Sequence, residues 1–109
     1  MLGFLSRRLG ADAALVYEKQ LRSLSAIRRE LRSLDGDAGV RVAGRYEGVG
    51  CLAFVTRFGT VYTVMVYSVK GKREGVPQER LATREYTSLE EVVTLLKSIS
   101  GPGVDACAY

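Results

Sequence analysis

Two spacings of apolar residues divide this chain. In the first third, Tyr17, Leu21, Leu24, Ile27, Leu31 and Leu34 recur at steps of three and four, which places them on one stripe of a helix. The pattern predicts one long helix over 11–34. Asp12 is suited to its N-cap, Glu18 and Arg22 stand in the favourable i,i+4 relation, and Asp35-Gly36-Asp37 ends it in a turn. Arg22, Arg28, Arg29 and Arg32 crowd the rest of its surface. The stripe is close to a seven-residue repeat, so a helix–helix dimer seam stands beside the default of a core-packing helix.

From Val40 the period changes to two. Val40, Val42, Gly44 and Tyr46 alternate with Arg41, Ala43, Arg45 and Glu47, giving a first strand. Gly48-Val49-Gly50 reads as a tight turn and 51–58 as a second strand. Phe58-Gly59-Thr60 reads as the next turn. The run over 61–69 is β-branched or aromatic at most positions, the strongest strand signal in the chain. A charged loop over 70–79 follows, then a short strand over 80–86, where Arg80, Arg84 and Glu85 discourage further pairing. Thr87 and Ser88 precede Glu90 and Glu91 at the capping-box spacing. The helix they open carries Leu89, Val92, Val93, Leu96 and Ile99 on one face, and Ser100-Gly101-Pro102-Gly103 stops it.

The expected architecture is α+β: an N-terminal long helix, a four-stranded antiparallel β-meander and a C-terminal helix, in the order α-β-β-β-β-α. It forms a single domain over 1–109, with an N-terminal segment at 1–10 and a tail at 101–109. Both helices bury their stripes on one face of the meander.

The middle strands are apolar on both faces. With Phe58-Gly59 as the loop, Arg57 pairs with Thr60, Val55 with Tyr62 and Ala53 with Val64. Arg57, Val55, Tyr62, Val64, Val66 and Lys70 then share one side, and Leu52, Phe54, Thr63, Met65 and Tyr67 the other. The register near Gly48–Gly50 is open by one residue, which would swap Arg45 and Tyr46 between sides. A sheet apolar on both sides needs more cover than two helices on one face supply. That points to a dimer interface, an apolar binding cleft, or both.

Composition narrows the chemistry. The chain has no histidine, tryptophan or asparagine, yet twelve arginines, a net charge of +4 and a pI near 9.3. Without histidine it lacks the side chain that titrates near neutrality. Its serines and threonines have no histidine base nearby, no spacing proposes a lysine or carboxylate mechanism, no phosphate-loop or dinucleotide motif is present, and no metal-ligand spacing is seen. The expectation is a non-enzyme without cofactor or metal. A basic balance favours polyanions. No stretch reaches the length of a membrane span. The apolar and basic residues of 1–10 are wrongly ordered for a secretory signal and more naturally pack Leu2, Phe4 and Leu5 on the domain, with a membrane-surface foothold as a lesser alternative. A cytoplasmic protein without stable membrane association is expected. Scarce amides and abundant arginine suit a hot-living source, where a Cys51–Cys107 disulfide becomes open to the chain. The preferred reading is one thiol buried in a strand and one on a tail.

Rings in strands with cations around them are how many modules hold single strands: bases stack on the rings while arginine and lysine meet the phosphates. The candidate nucleic-acid-binding set is Arg41, Arg45, Tyr46, Phe54, Arg57, Phe58, Tyr62, Tyr67, Lys70, Lys72, Arg73, Arg84 and Tyr86, with Arg80 on the flank. Taken singly, each ring is more simply a core residue. Nothing supports readout of duplex sequence. The leading expectation is therefore single-stranded DNA or RNA binding by a homo-oligomer, a dimer or higher. The alternative is a protein–protein assembly module in which oligomerisation alone explains the two-faced sheet.

The arginine-bearing helix over 12–34, the meander over 40–86 and the Thr87-Ser88-Leu89-Glu90-Glu91 helix start together resemble the ThermoDBP-related proteins of thermophilic archaea, which bind single-stranded nucleic acid. The resemblance implies a four-stranded antiparallel sheet paired with helices, assembled as dimers or larger forms. It also implies an apolar cleft near Phe54, Phe58, Tyr62 and Tyr67, edged by Arg45, Arg57 and Arg84. The chain departs from that family in lacking a long C-terminal leucine-rich helix.

Overall fold

Strand β1 (Lys19–Leu21) is followed by helix α1 (Leu24–Arg32), then by β2 (Val40–Tyr46), β3 (Val49–Phe58), β4 (Val61–Val69) and β5 (Pro77–Tyr86), helix α2 (Leu89–Ser100) and strand β6 (Asp105–Ala108). A computed structural model provides this architecture and describes residues 19–69 and 77–109. The strands form one antiparallel sheet in the order β1-β6-β2-β3-β4-β5.

The expected four-stranded meander with a helix at each end is thus overturned: among the described residues the sheet has six strands, and a strand stands at either end of the described chain. Two local signals misled the reading. Leu21 satisfies both the helical stripe and a strand with its side chain inward, and the pairing of Lys19–Leu21 with Ala108–Ala106 decides for the strand. The helix then starts at Ser23, whose backbone is extended and whose hydroxyl accepts from the Ala26 N–H at 3.1 Å, as an N-cap should. Asp12 and Glu18 of the expected longer helix lie outside the described residues, as does all of 1–18. The supposed tail is strand β6, Asp-Ala-Cys-Ala. Four small residues without a β-branched side chain give almost no strand signal, and only the slot between β1 and β2 makes them one.

The meander itself is close to expectation. Its first turn is Glu47-Gly48, not Gly48-Val49-Gly50. Both turn residues have positive φ, 50° and 82°, as a two-residue type I′ hairpin requires, so Val49 already pairs with Tyr46. The second turn is Gly59-Thr60, because Phe58 pairs with Val61. Arg57 therefore faces Tyr62, and Val55 faces Val64. Pairing shifts by two residues, and since side chains alternate with period two, every described residue of the two strands keeps its expected face. Strand β5 begins at Pro77, inside the expected loop, and its register against β4 slips near Tyr67.

Both helices cover the same face. Val40, Val42, Cys51, Ala53, Val55, Tyr62, Val64, Val66, Leu21 and Ala106 are buried beneath Ile27 and Leu31 of α1 and Val92, Val93, Leu96 and Ile99 of α2. Burying side chains of this size stabilises by about 1.5–3 kcal/mol each. Helix α2 starts as its sequence indicates, with the Ser88 hydroxyl accepting from the Glu91 N–H. It reaches the sheet closely because Gly44 has no side chain: a Cβ there would stand 2.0 Å from the Ile99 carbonyl oxygen. Arg28 of α1 joins Glu90 of α2 at 2.8 Å. Among the described residues no helix is long and apolar enough to cross a membrane.

Candidate nucleic-acid interface

Alternation along the strands sends a second set of side chains to the face that no described helix covers. Registers across the sheet arrange them in rows. One row runs Gln20, Cys107, Arg41, Phe54, Met65, Thr83, and the next runs Asp105, Ala43, Leu52, Tyr67, Arg80. Thr56, Thr63 and Glu85 make a third, nearer the β3–β4 turn.

The centre of this face is apolar. Phe54 and Tyr67 meet edge to face, ring centroids 5.8 Å apart and planes at 78°, a favoured aromatic geometry. The Tyr67 hydroxyl lies 3.6 Å from the Met65 sulfur. Phe54, Met65 and Tyr67 are all half-buried, while Leu52 beside them is buried. Phe58, farther along β3 on the same face, is 69% exposed. Arg41 is half-buried, and Arg45 and Arg80 are exposed. The Arg45 guanidinium donates to the Gly48 carbonyl across its own hairpin. Asp105 and Glu85 provide carboxylates at opposite margins.

The predicted residues therefore divide between the two faces. Arg41, Arg45, Phe54, Phe58 and Tyr67 share the open one. Tyr46, Arg57, Tyr62, Arg84 and Tyr86 belong to the helix-covered one. Tyr62 is 4% exposed, and its hydroxyl donates to the Leu31 carbonyl at 2.9 Å. It is a core side chain closing the end of α1, not a stacking platform. Arg57 lies over the Tyr62 ring, 5.1 Å from its centroid, and donates to the carbonyls of Gly59 and Arg32 at 2.9 and 3.1 Å. Arg84 donates to the Tyr46 hydroxyl at 3.1 Å. A cleft that gathers Tyr62 with Phe54 and Tyr67 is excluded by this geometry, since the sheet itself separates them. Lys70, Lys72 and Arg73 lie outside the described residues.

Arg84 and Tyr86 line another hollow, of about 510 Å³, between edge strand β5 and α2. Glu90 and Glu91 share its wall, which disfavours a phosphate there. The expected site omitted Met65 and Leu52, whose alternation with Val64, Val66 and Ala53 already placed them beside Phe54 and Tyr67.

The two cysteines are free thiols. Cys51 points into the helix-covered core and Cys107 to the open face, with β2 between their strands, so the Cys51–Cys107 disulfide is ruled out. Burial pushes the Cys51 thiol pKa up, against a smaller lowering by Arg45. Among the described residues no group of three or more histidine, cysteine or carboxylate side chains could hold a metal ion. Compared with known proteins, the chain matches no family model, no curated protein and no solved structure.

Proposed function

We propose that this protein binds single-stranded nucleic acid, without catalysing a reaction, on the open face of its sheet. One observation carries the reading: the Phe54–Tyr67 ring pair lies half-exposed at the middle of an apolar face, with Arg41, Arg45 and Arg80 around it. Rings accept bases of any sequence by stacking, and arginines at the margin take the phosphates. The ThermoDBP-related proteins that the sequence resembles hold single strands in an apolar cleft edged by basic residues, but that likeness rested in part on a helix over 12–34 and a four-stranded sheet that the fold replaces, so the reading stands on the ring pair and its arginines. The site proposed here is smaller than the resemblance alone implied, because Tyr62, Arg57 and Arg84 serve the other face.

The test is a fluorescence-anisotropy titration with oligothymidine at low and high salt. Affinity should fall steeply with salt through counterion release. Tyr67→Ala and Phe54→Ala should each cost about 1–3 kcal/mol of binding, where about 1.4 kcal/mol is tenfold, with little change in the salt slope. The apolar run of Leu52, Met65 and Val69 on the same face favours a second reading, self-association through that face. A tight dimer on a sizing column with no oligonucleotide affinity at low salt would select this second reading and refute the first.

A further inference from the structure

Exposed cations are not confined to the open face. Helix α1 exposes Ser25, Arg29, Arg32 and Ser33 on its outer side. Two carboxylates beside the helix are engaged by other cations: Glu30 holds Lys19 at 2.8 Å, and Glu90 holds Arg28 at 2.8 Å. Arg29 and Arg32 make no ion pair among the described residues. They are the basic residues of the helix's last turn.

This turn is fastened to the end of the β3–β4 hairpin. Arg57 bridges the two, donating to the Arg32 carbonyl and to the Gly59 carbonyl. Phe58, next in sequence and on the opposite face, is the most exposed large apolar side chain of the described residues. It belongs to the same strand and the same face as Phe54, four residues along, or roughly 13 Å at strand spacing. Its ring rests near the loop that follows α1, where a methyl on Gly36 would lie 3.5 Å from it. An exposed ring thus stands where the open face ends, and the helix turn tied to the same hairpin carries two arginines without an ion pair among the described residues.

Resting on the single-strand reading above, we propose that a bound strand longer than the open face turns over the β3–β4 hairpin at Phe58 and lays its next phosphates on Arg29 and Arg32. A base stacks on Phe58 at the crossing. The carboxylates of Asp35 and Asp37 flank Gly36 there and repel phosphates, so the crossing is made by a base, and the backbone returns to positive charge only at α1. Open face, tip and helix then form one track, and the protein distinguishes long single strands from short ones.

Labelled oligothymidines of about 6 and about 20 nucleotides, within and beyond the range one small single-strand module covers, test this with the wild-type chain and the double variant Arg29→Gln/Arg32→Gln. Thermal melts check that the variant is folded. The wild type should bind the longer strand more tightly and with a steeper salt slope. The double variant should lose about 1.4 units of that slope, two contacts at about 0.7 each for single strands. It should bind the longer strand several-fold more weakly and leave the shorter one unaffected. Phe58→Ala should weaken the longer strand alone, without changing the slope. Equal affinity of the wild type for both lengths, equal weakening of both by the double variant, or an unchanged slope overturns the track while leaving the open-face site standing. Failure of the wild type to bind either strand at low salt overturns both.

Discussion

Replacing Gly44 by Ala should loosen the contact between α2 and the sheet. In most strands the change is favourable, because glycine in a strand interior costs roughly 0.5–1 kcal/mol relative to alanine. At Gly44 the added Cβ would stand 2.0 Å from the Ile99 oxygen and 2.6 Å from the Ile99 carbonyl carbon. Both are main-chain atoms, so no rotamer change relieves the clash. Reaching even a tight contact of 3.0 Å requires the helix to retreat by about 1 Å, pulling Leu96 and Ile99, 0% and 3% exposed, partly out of the core. Overpacking of this kind costs about 1–3 kcal/mol, and the rigidity of the obstacle puts this site at the upper end. For a domain of this size each kcal/mol lowers the midpoint by roughly 4–8 °C, so thermal unfolding followed by far-ultraviolet circular dichroism should show a drop of about 10 °C or more. Gly50→Ala is the matched control: it lies on the neighbouring strand, and its added Cβ would stand 3.7 Å from a Val69 methyl, an ordinary contact, so the midpoint should move much less. A Gly44→Ala protein as stable as the wild type would refute the packing argument.

Tyr62→Phe should destabilise by about 1 kcal/mol, since it leaves the Leu31 carbonyl without its buried donor; oligothymidine affinity should not change, and a urea titration beside the anisotropy assay checks both. Because the Cys51 thiol pKa is raised in the folded protein, the unfolded state ionises first as pH rises. Cys51 therefore holds its full contribution below the ordinary thiol pKa of about 8.5 and loses it above; urea midpoints measured from neutral to alkaline pH should fall less steeply in Cys51→Ala than in the wild type. Thiol-specific labelling of the native protein should modify Cys107 well before Cys51, with mass spectrometry of digests as the readout.

What the sequence made legible was whatever is set by local period and turn chemistry. The alternation from Val40 to Val69 gave β4 to the residue, β2 to within one and β3 to within two, and Ser88 with Glu91 marked the start of α2. Even the misplaced loop left the faces of β3 and β4 correct, because an error of two residues preserves parity. What could not be seen was anything decided by distant pairing. Leu21 fits a helix stripe as well as a strand, and only β6 arbitrates. Ala106 and Cys107 carry no propensity signal, and only the gap beside β2 recruits them. The candidate site shows the same division: Phe54 and Tyr67 belonged together by parity within one hairpin, whereas the loss of Tyr62 to the core depended on a carbonyl at the end of α1, thirty-one residues away.

Strand β6 stands last in sequence order but inside the sheet, holding β1 on one side and β2 on the other. Leu21 meets its neighbour only at Ala106, so the loop to be closed spans most of the domain, and such closures are slow to form. A nascent chain can zip its hairpins early, yet it cannot seat β1 until residues 105–108 have been synthesised. Until then Val40 and Val42 border an unpaired edge, where the growing chain is most exposed to mispairing with its neighbours.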